Sequence, residues 1–310
     1  MDFGFQQVEE HSIPWYKIDY SAERSFMREI TLVGYGNQGK AWAANLRDSG
    51  WKVTVSGRAE GKGIAQAKAD GFATLAPSEL KAVRGPMALL LPDEGIPAFF
   101  QAFLAGGSGR QFMFAHGFAV TFGRLPVAST DDLILVAVKG IGPKLRENFL
   151  KGSGVMGVVD VRQNGTGKGW EAAEAVAEGL GLTRVGLLRS TFEHETKTDL
   201  LSEQVILCGA VPRLVNETIE FLVEKGIDRR LATYECLNEL KLIVDMMVEH
   251  GVNGMLERVS NAAYHGGAMA AEVVLPKREL KQRTEQLWQA IEDGSFAEEL
   301  GRRTERKKWL

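Results

Sequence analysis

The chain lacks most of what would take it out of the ordinary globular class. Only two cysteines, Cys208 and Cys236, occur in 310 residues, without CxxC spacing; this excludes a disulfide scaffold or a thiolate zinc site. Both lie in apolar helical stretches and read as small core residues in a reducing compartment. No uninterrupted apolar run reaches the roughly 18 residues of a membrane-spanning helix. The start, Met1-Asp2-Phe3-Gly4-Phe5-Gln6, has neither a basic region nor a long apolar stretch, so no signal peptide is expected. A net charge of −3 leaves no electrostatic footprint for nucleic acid. The one basic concentration, at 302–308, reads as a frayed, solvated end. The expectation is a cytoplasmic protein with a small-molecule partner and neither nucleic acid nor membrane.

What is present suffices for two ordinary cores: 45% of the residues are hydrophobic and 25% charged. Up to residue 188 short apolar runs alternate with helical patterns. Strands are predicted at 30–33, 52–56, 87–91, 111–115, 133–137 and 157–161, and helices at 39–49, 62–70, 97–104 and 169–180. That alternation implies βαβ units and a mostly parallel α/β sheet. Beyond Arg189 the pattern becomes helical almost throughout, at 200–208, 211–225, 230–249, 254–263 and 276–293. Leu237, Leu240, Val244 and Met247 share one stripe. A boundary near Arg189–Thr191, with no Pro/Gly/Ser-rich linker, separates a first domain, 1–190, from a second, 191–310.

The first predicted strand runs into Gly34-Tyr35-Gly36-Asn37-Gln38-Gly39, a GxGxxG loop that opens a helix. In such a loop the first glycine permits the turn and the second lets backbone approach a pyrophosphate. The third allows close helix–strand packing, and the helix N-terminus faces the anion. Strand, loop, helix and second strand follow in the order a dinucleotide site requires. After the second strand, basic groups favour the 2′-phosphate of NADP, whereas an acid favours the ribose diol of NAD. Arg58 and Lys62 point to NADPH; Glu60, between them, keeps NADH open.

The second half carries two carboxylate pairs, Asp199 with Glu203 and Glu235 with Glu239. Residues four apart on a helix share a face, and like charges so placed destabilise it. One such pair is ordinarily a solvated surface. Two, in segments rich in Leu, Ile, Val and Cys and downstream of a nucleotide loop, point to a cation. Oxygen donors alone suit hard divalent ions such as Mg²⁺.

Together these motifs resemble the ketol-acid reductoisomerase (acetohydroxyacid isomeroreductase) family in its short form, over nearly the whole chain. The resemblance runs through GYGNQGKAWAANLRDSG at 34–50, LPDE at 91–94, AHGF at 115–118 and VAVKGIG at 136–142. It continues through TFEHETKTDLLSEQVILCGA at 191–210, YECLNELKLIVDMM at 234–247, SNAAYHG at 260–266 and EDGSFAEE at 292–299. It implies a Rossmann-type N-terminal domain and a knotted, all-helical C-terminal domain. It also implies a homodimer or higher homo-oligomer whose sites take metal ligands from both subunits. The implied reaction is a Mg²⁺-dependent alkyl migration in a 2-acetohydroxy acid such as 2-acetolactate, then reduction by NADPH, as in branched-chain amino acid synthesis. Two Mg²⁺ would be held by Asp199, Glu203, Glu235 and Glu239, with Glu239 also assisting proton movement.

The resemblance further makes Ser260 a ligand of the substrate carboxylate and His116 and Lys139 active-site residues. On local sequence alone, the buried, hydrogen-bonded reading of His116 and the reading of Ser260 as a helix-interior serine bonded to its own backbone are the favoured ones, and the alternative for Lys139 is a solvated loop charge. Tyr35–Gln38, Arg58, Asp93, Glu94, Gly95, Ile96 and Gly142 match cofactor-lining segments. Gly61 and Gly63 stand where family members often carry Ser or Thr, and Thr121, Pro143 and Tyr264 lie in segments that depart from the family pattern. The alternatives are a paralogue that reduces a related 2-keto acid without isomerisation and a catalytically silent cofactor-binding protein.

Overall fold

The structure is a computed structural model that describes residues 28–302, apart from Ala59 and Arg124. The N-terminal hexapeptide and all but the first residue of the basic run 302–308 lie outside the described residues. The chain divides into two compact units after Thr196, a few residues beyond the boundary read from the sequence.

The first unit is built on β1 (Glu29–Val33), β2 (Lys52–Ser56), β3 (Ala73–Leu75), β4 (Pro86–Leu89), β5 (Gln111–Phe114), β6 (Asp132–Val138), β7 (Gly157–Asn164) and β8 (Leu187–Arg189). They form one sheet in the order β3-β2-β1-β4-β5-β6-β7-β8. β1 to β6 are parallel, β7 is antiparallel to β6, and β8 runs parallel to β7. Around the sheet lie α1 (Asn37–Asp48), α2 (Lys62–Ala69), α3 (Ile96–Phe103), α4 (Phe118–Thr121), α5 (Gly142–Leu150) and α6 (Gly169–Leu180). The strand order reverses between β1 and β4, and open α/β sheets bind ligands in the crevice at such a point.

The sequence of β6, Asp-Leu-Ile-Leu-Val-Ala-Val, is buried throughout because both faces are covered. Successive side chains of a strand point to opposite faces. Ile134, Val136 and Val138 therefore join one core, with Trp42 and Leu46 of α1 and Ala172 and Val176 of α6. Leu133, Leu135 and Ala137 join the other, with Ile96 and Phe100 of α3 and Phe192. At the opposite end of the strands Asp131, fully buried, accepts from the Arg110 and Ala128 N–H groups, and Asp132 accepts from Gln111 and Thr166.

Helix α7 (Phe192–Ser202) begins in the first unit and carries the chain into the second. The second unit is helical: a π-helical segment (Glu203–Ala210), α8 (Val211–Glu224), α9 (Arg229–Thr233), a second π segment (Tyr234–Asn238), α10 (Glu239–Leu256), α11 (Asn261–Val274), α12 (Lys277–Glu292) and α13 (Ser295–Arg302). Arg229 ties α9 to α8 through two 2.7 Å bonds to Glu220. Lys197 pairs with Glu292 and lies over Trp288. Among the described residues of this unit, buried apolar side chains are few: Leu200, Ile219, Ala232, Met255 and Ile291. Val248, Val273 and Met269 are 83%, 81% and 76% exposed, and Leu237 and Val244 of the predicted stripe are also exposed. No helix among the described residues is long and apolar enough to cross a membrane.

Candidate active site

Four of the predicted residues follow directly from strand ends. Gly34 follows β1, Asp93 follows β4, His116 follows β5 and Lys139 follows β6, all at the C-terminal edge of the parallel strands. Gly34 has φ +111°, and a Cβ there would lie 2.5 Å from the Leu90 carbonyl oxygen; only glycine fits that turn. A Cβ on Gly39 would lie 2.3 Å from the Gly34 oxygen, which is the close helix–strand approach the motif predicts. A Cβ on Gly36 would meet nothing within 4 Å, and Gly36 caps α1 with no side chain on its N–H groups. An open backbone surface before an uncapped helix N-terminus fits a pyrophosphate.

The other cofactor candidates divide by role. Arg58, Glu60 and Lys62 are exposed around the turn from β2 into α2. A Cβ on Gly61 would lie 3.0 Å from the Arg58 oxygen, and one on Gly63 3.4 Å from Tyr35 Cβ. The first is a tight approach and gives a packing reason for glycine at 61; the second is ordinary contact and gives none at 63. Tyr35 commits its ring to the fold: its hydroxyl donates to Asp70 at 2.7 Å and its edge meets Phe72. Burial first, and Asp70 second, push the phenol pKa up from its usual value. Asp93, Glu94 and Gly95 form a single 3₁₀ turn, with Glu94 exposed, and Ile96 is buried in the core. Gly142 is packed against the backbone of α1, where a Cβ would lie 2.1 Å from the Asn37 oxygen. Gln38 braces the same junction by donating to the Gly140 carbonyl at 2.9 Å.

At the strand ends two acid–base pairs form. Asp93 Oδ2 lies 2.8 Å from His116 Nδ1. Lys139 Nζ lies 2.7 Å from Glu195 Oε1, and Glu195 Oε2 accepts from the Gly117 N–H at 2.9 Å. The Glu195 side chain is 1% exposed and that of Lys139 27%, so the carboxylate is buried and the lysine side chain partly exposed. Helix α7 brings Glu195 here because Asp160 accepts from the Phe192 N–H at 2.9 Å and Phe192 packs edge-on against Phe114. Thr196 donates to the Phe192 carbonyl at 2.7 Å and lies 3.1 Å from the Thr121 hydroxyl. A Cβ on Gly117 would lie 2.2 Å from Thr196 Oγ1, so only glycine lets α7 dock on this loop.

Glu195 was not among the residues singled out from the sequence. Its signal was there: Glu195, Asp199 and Glu203 stand at i, i+4 and i+8, one acid further back than the pair suggests.

Asp199 lies in the last turns of α7 and Glu203 opens the first π segment; Glu235 lies within the second, and Glu239 opens α10. Their donors are oxygens only, which fits hard divalent cations. Among the described residues, Glu203, Glu235 and Glu239 belong to no group of three or more such donors within 4.8 Å of one another. Ser260 is not inside a helix: it caps α11, with Oγ accepting from the Ala263 N–H at 3.2 Å, and the predicted helix 254–263 is broken there.

A glycine loop at the switch point of a doubly wound sheet, with acid–base pairs on the adjoining strand ends, defines a dinucleotide-dependent oxidoreductase. Comparison with known proteins narrows this. Residues 26–186 match the acetohydroxy acid isomeroreductase NADPH-binding domain, and residues 192–309 match the ketol-acid reductoisomerase C-terminal domain. The chain is 40% identical over 274 residues to a ketol-acid reductoisomerase (NADP(+)) of Sulfurisphaera tokodaii, covering 88% of this chain and 82% of that one. It is 41% identical over 276 residues to a ketol-acid reductoisomerase (NAD(P)(+)) of Metallosphaera sedula, with the same coverage, 88% and 82%. An NADH-preferring ketol-acid reductoisomerase from an uncultured archaean superposes with a TM-score of 0.82 at 35% identity, covering 88% of this chain and 85% of the other. The chain belongs to the ketol-acid reductoisomerase family, and it is an oxidoreductase of that kind.

Proposed function

We propose that the chain converts 2-acetolactate-type acids into 2,3-dihydroxy-3-methyl acids in the cytoplasm, by alkyl migration followed by hydride transfer from NADPH. The observation that carries this reading is the convergence of Asp93–His116 and Lys139–Glu195 beside the glycine loop, in a chain that also holds two carboxylate pairs. When bound by Asp199, Glu203, Glu235 and Glu239, two Mg²⁺ would act as Lewis acids on the substrate's adjoining oxygens.

The chain's own residues do the rest. Lys139, its ammonium steered by Glu195, attracts the anionic substrate to the strand ends. His116, held by Asp93, stands as the proton acceptor. Glu239 assists proton movement on the metal side. The Ser260 hydroxyl accepts from a backbone N–H and keeps its own hydrogen to donate to the substrate carboxylate. The active form is a homodimer in which one chain gives Asp199 and Glu203 and the other gives Glu235 and Glu239. The apolar side chains left exposed in the helical unit support that assembly, since large apolar side chains exposed in such number favour burial against a partner.

Arg58 and Lys62 hold the 2′-phosphate of NADPH. Replacing Arg58 by Ala should raise the Michaelis constant for NADPH about tenfold and leave that for NADH little changed. A wild-type preference for NADH would overturn the choice and make Glu60 the ribose ligand. The function itself is tested by giving purified protein, Mg²⁺ and NADPH either 2-acetolactate or the isomerised 3-hydroxy-2-keto acid. NADPH oxidation with both supports the reading; oxidation with the keto acid alone, or with neither, sinks it.

A further inference from the structure

Asp93 and His116 come from neighbouring strands. Asp93 opens the turn after β4 and His116 follows β5, so the parallel pairing of β4 with β5 sets their separation. Oδ2 of Asp93 meets Nδ1 of His116 at 2.8 Å, and the ring lies over Phe118 with centroids 6.2 Å apart and planes inclined by 30°. The imidazole is therefore held at one edge and one face. A carboxylate can only accept a hydrogen bond, so Nδ1 carries the hydrogen and, in the neutral ring, Nε2 carries the lone pair. The two side chains are 21% and 29% exposed at the sheet's C-terminal edge, and the His116 Nε2 atom itself is buried.

We propose that Asp93 is the positioning residue of His116: it fixes the ring's tautomer and orientation, so that Nε2 accepts from a substrate hydroxyl. Its carboxylate then serves the substrate half of the site through the imidazole and does not serve the cofactor, although its turn belongs to a segment expected to line the cofactor. This rests on the reading of His116 as an active-site residue. A carboxylate behind an imidazole works by excluding the wrong tautomer and steadying the ring when it takes a proton. An isosteric amide would preserve a merely structural tie. It would not preserve the tautomer, because it offers a donor as well as an acceptor.

The experiment uses the full chain with Asp93→Asn and Asp93→Ala, and His116→Gln to assign the His116 signal among the five histidines. Nitrogen-15 NMR of histidine-labelled protein at neutral pH reads the tautomer directly. In the wild type His116 should be the Nδ1–H form, and in both variants it should move towards the Nε2–H form. kcat with 2-acetolactate should fall roughly 10- to 100-fold in both. The dissociation constant for NADPH, from fluorescence titration, should change by less than about twofold. Should the alanine variant fail to fold, the isosteric asparagine variant carries the test alone. An unchanged tautomer in Asp93→Asn, or a wild-type kcat in it, overturns the proposal. So does a large loss of NADPH affinity with kcat intact, which would make Asp93 a cofactor contact. A wild-type protein inactive with 2-acetolactate would overturn the parent reading instead, and the NMR tautomer would still decide the role of Asp93.

Discussion

Two single positions show how local chemistry holds the first unit's functional edge. Gly117 admits α7 because it has no side chain; a methyl there would press 2.2 Å from Thr196 Oγ1 and 2.7 Å from the Phe192 carbonyl oxygen. Gly117→Ala should cost about 1–3 kcal/mol in urea unfolding. It should cut kcat further than that loss explains, since Glu195 moves with the helix; unaltered kinetics would refute the docking argument. Asp70 is held below the usual carboxylate range, first by the Tyr35 hydroxyl and next by the Gln66 amide. A depressed carboxylate stabilises the fold above its unfolded value, near 3.8, and loses that contribution as pH falls through the lower folded value. Tyr35→Phe should bring Asp70 back towards its ordinary titration. The stability gap to wild type should then be widest at neutral pH and close in acid; carbon NMR of Asp70 with pH-dependent unfolding checks both. The glycine loop was legible because each glycine answers one steric demand. Glu195 left only the spacing of its acids as a trace; its pairing was not legible, because its partners, Lys139 and the Gly117 N–H, are distant in sequence and meet it only through the sheet.

Among the elements, the long and strongly patterned ones were readable. β6 and α6 announce themselves by a continuous apolar run and a clear helical period. β3 and β8, three residues each, are too short to leave a period-two trace, and α5 is hidden behind its Gly-Pro start. The π segments are the more consequential omission, since Glu-Gln-Val-Ile-Leu-Cys-Gly-Ala and Tyr-Glu-Cys-Leu-Asn read as ordinary helix. Widening the turn from i→i+4 to i→i+5 leaves composition untouched but re-aims every side chain beyond it. Both carboxylate pairs border or enter such a segment. Gly209 is the one sequence trace, because a Cβ there would fall 1.8 Å from the Gln204 oxygen. Gly209→Ala should rewind that turn and reduce Mg²⁺-dependent turnover at least about tenfold, with NADPH affinity nearly unchanged. Equal losses in both would show that the substitution damages the fold at large.

For the whole molecule, the division into a sheet unit and a helical unit was visible in the change of period, and the place of the dinucleotide loop with it. The proposed meeting of the two carboxylate pairs across a dimer was not visible, because nothing in one chain's periodicity encodes a second chain. Co-expression tests the sharing. Asp199→Asn and Glu235→Gln subunits, each inactive alone, should regain activity together, because a mixed dimer retains one site with both pairs intact. Activity no higher than in the parents would refute the shared site. The bare valines of α10 and α11, with Met269, have a further consequence for how the protein comes into being. A ribosome delivers the sheet unit first, complete with its two cores, while the helices that follow emerge with little to hide behind. In the proposed dimer, maturation would wait on a meeting between molecules: its rate would climb with the concentration of newly made chains, and scarcity would leave half-finished protein to chaperones and proteases.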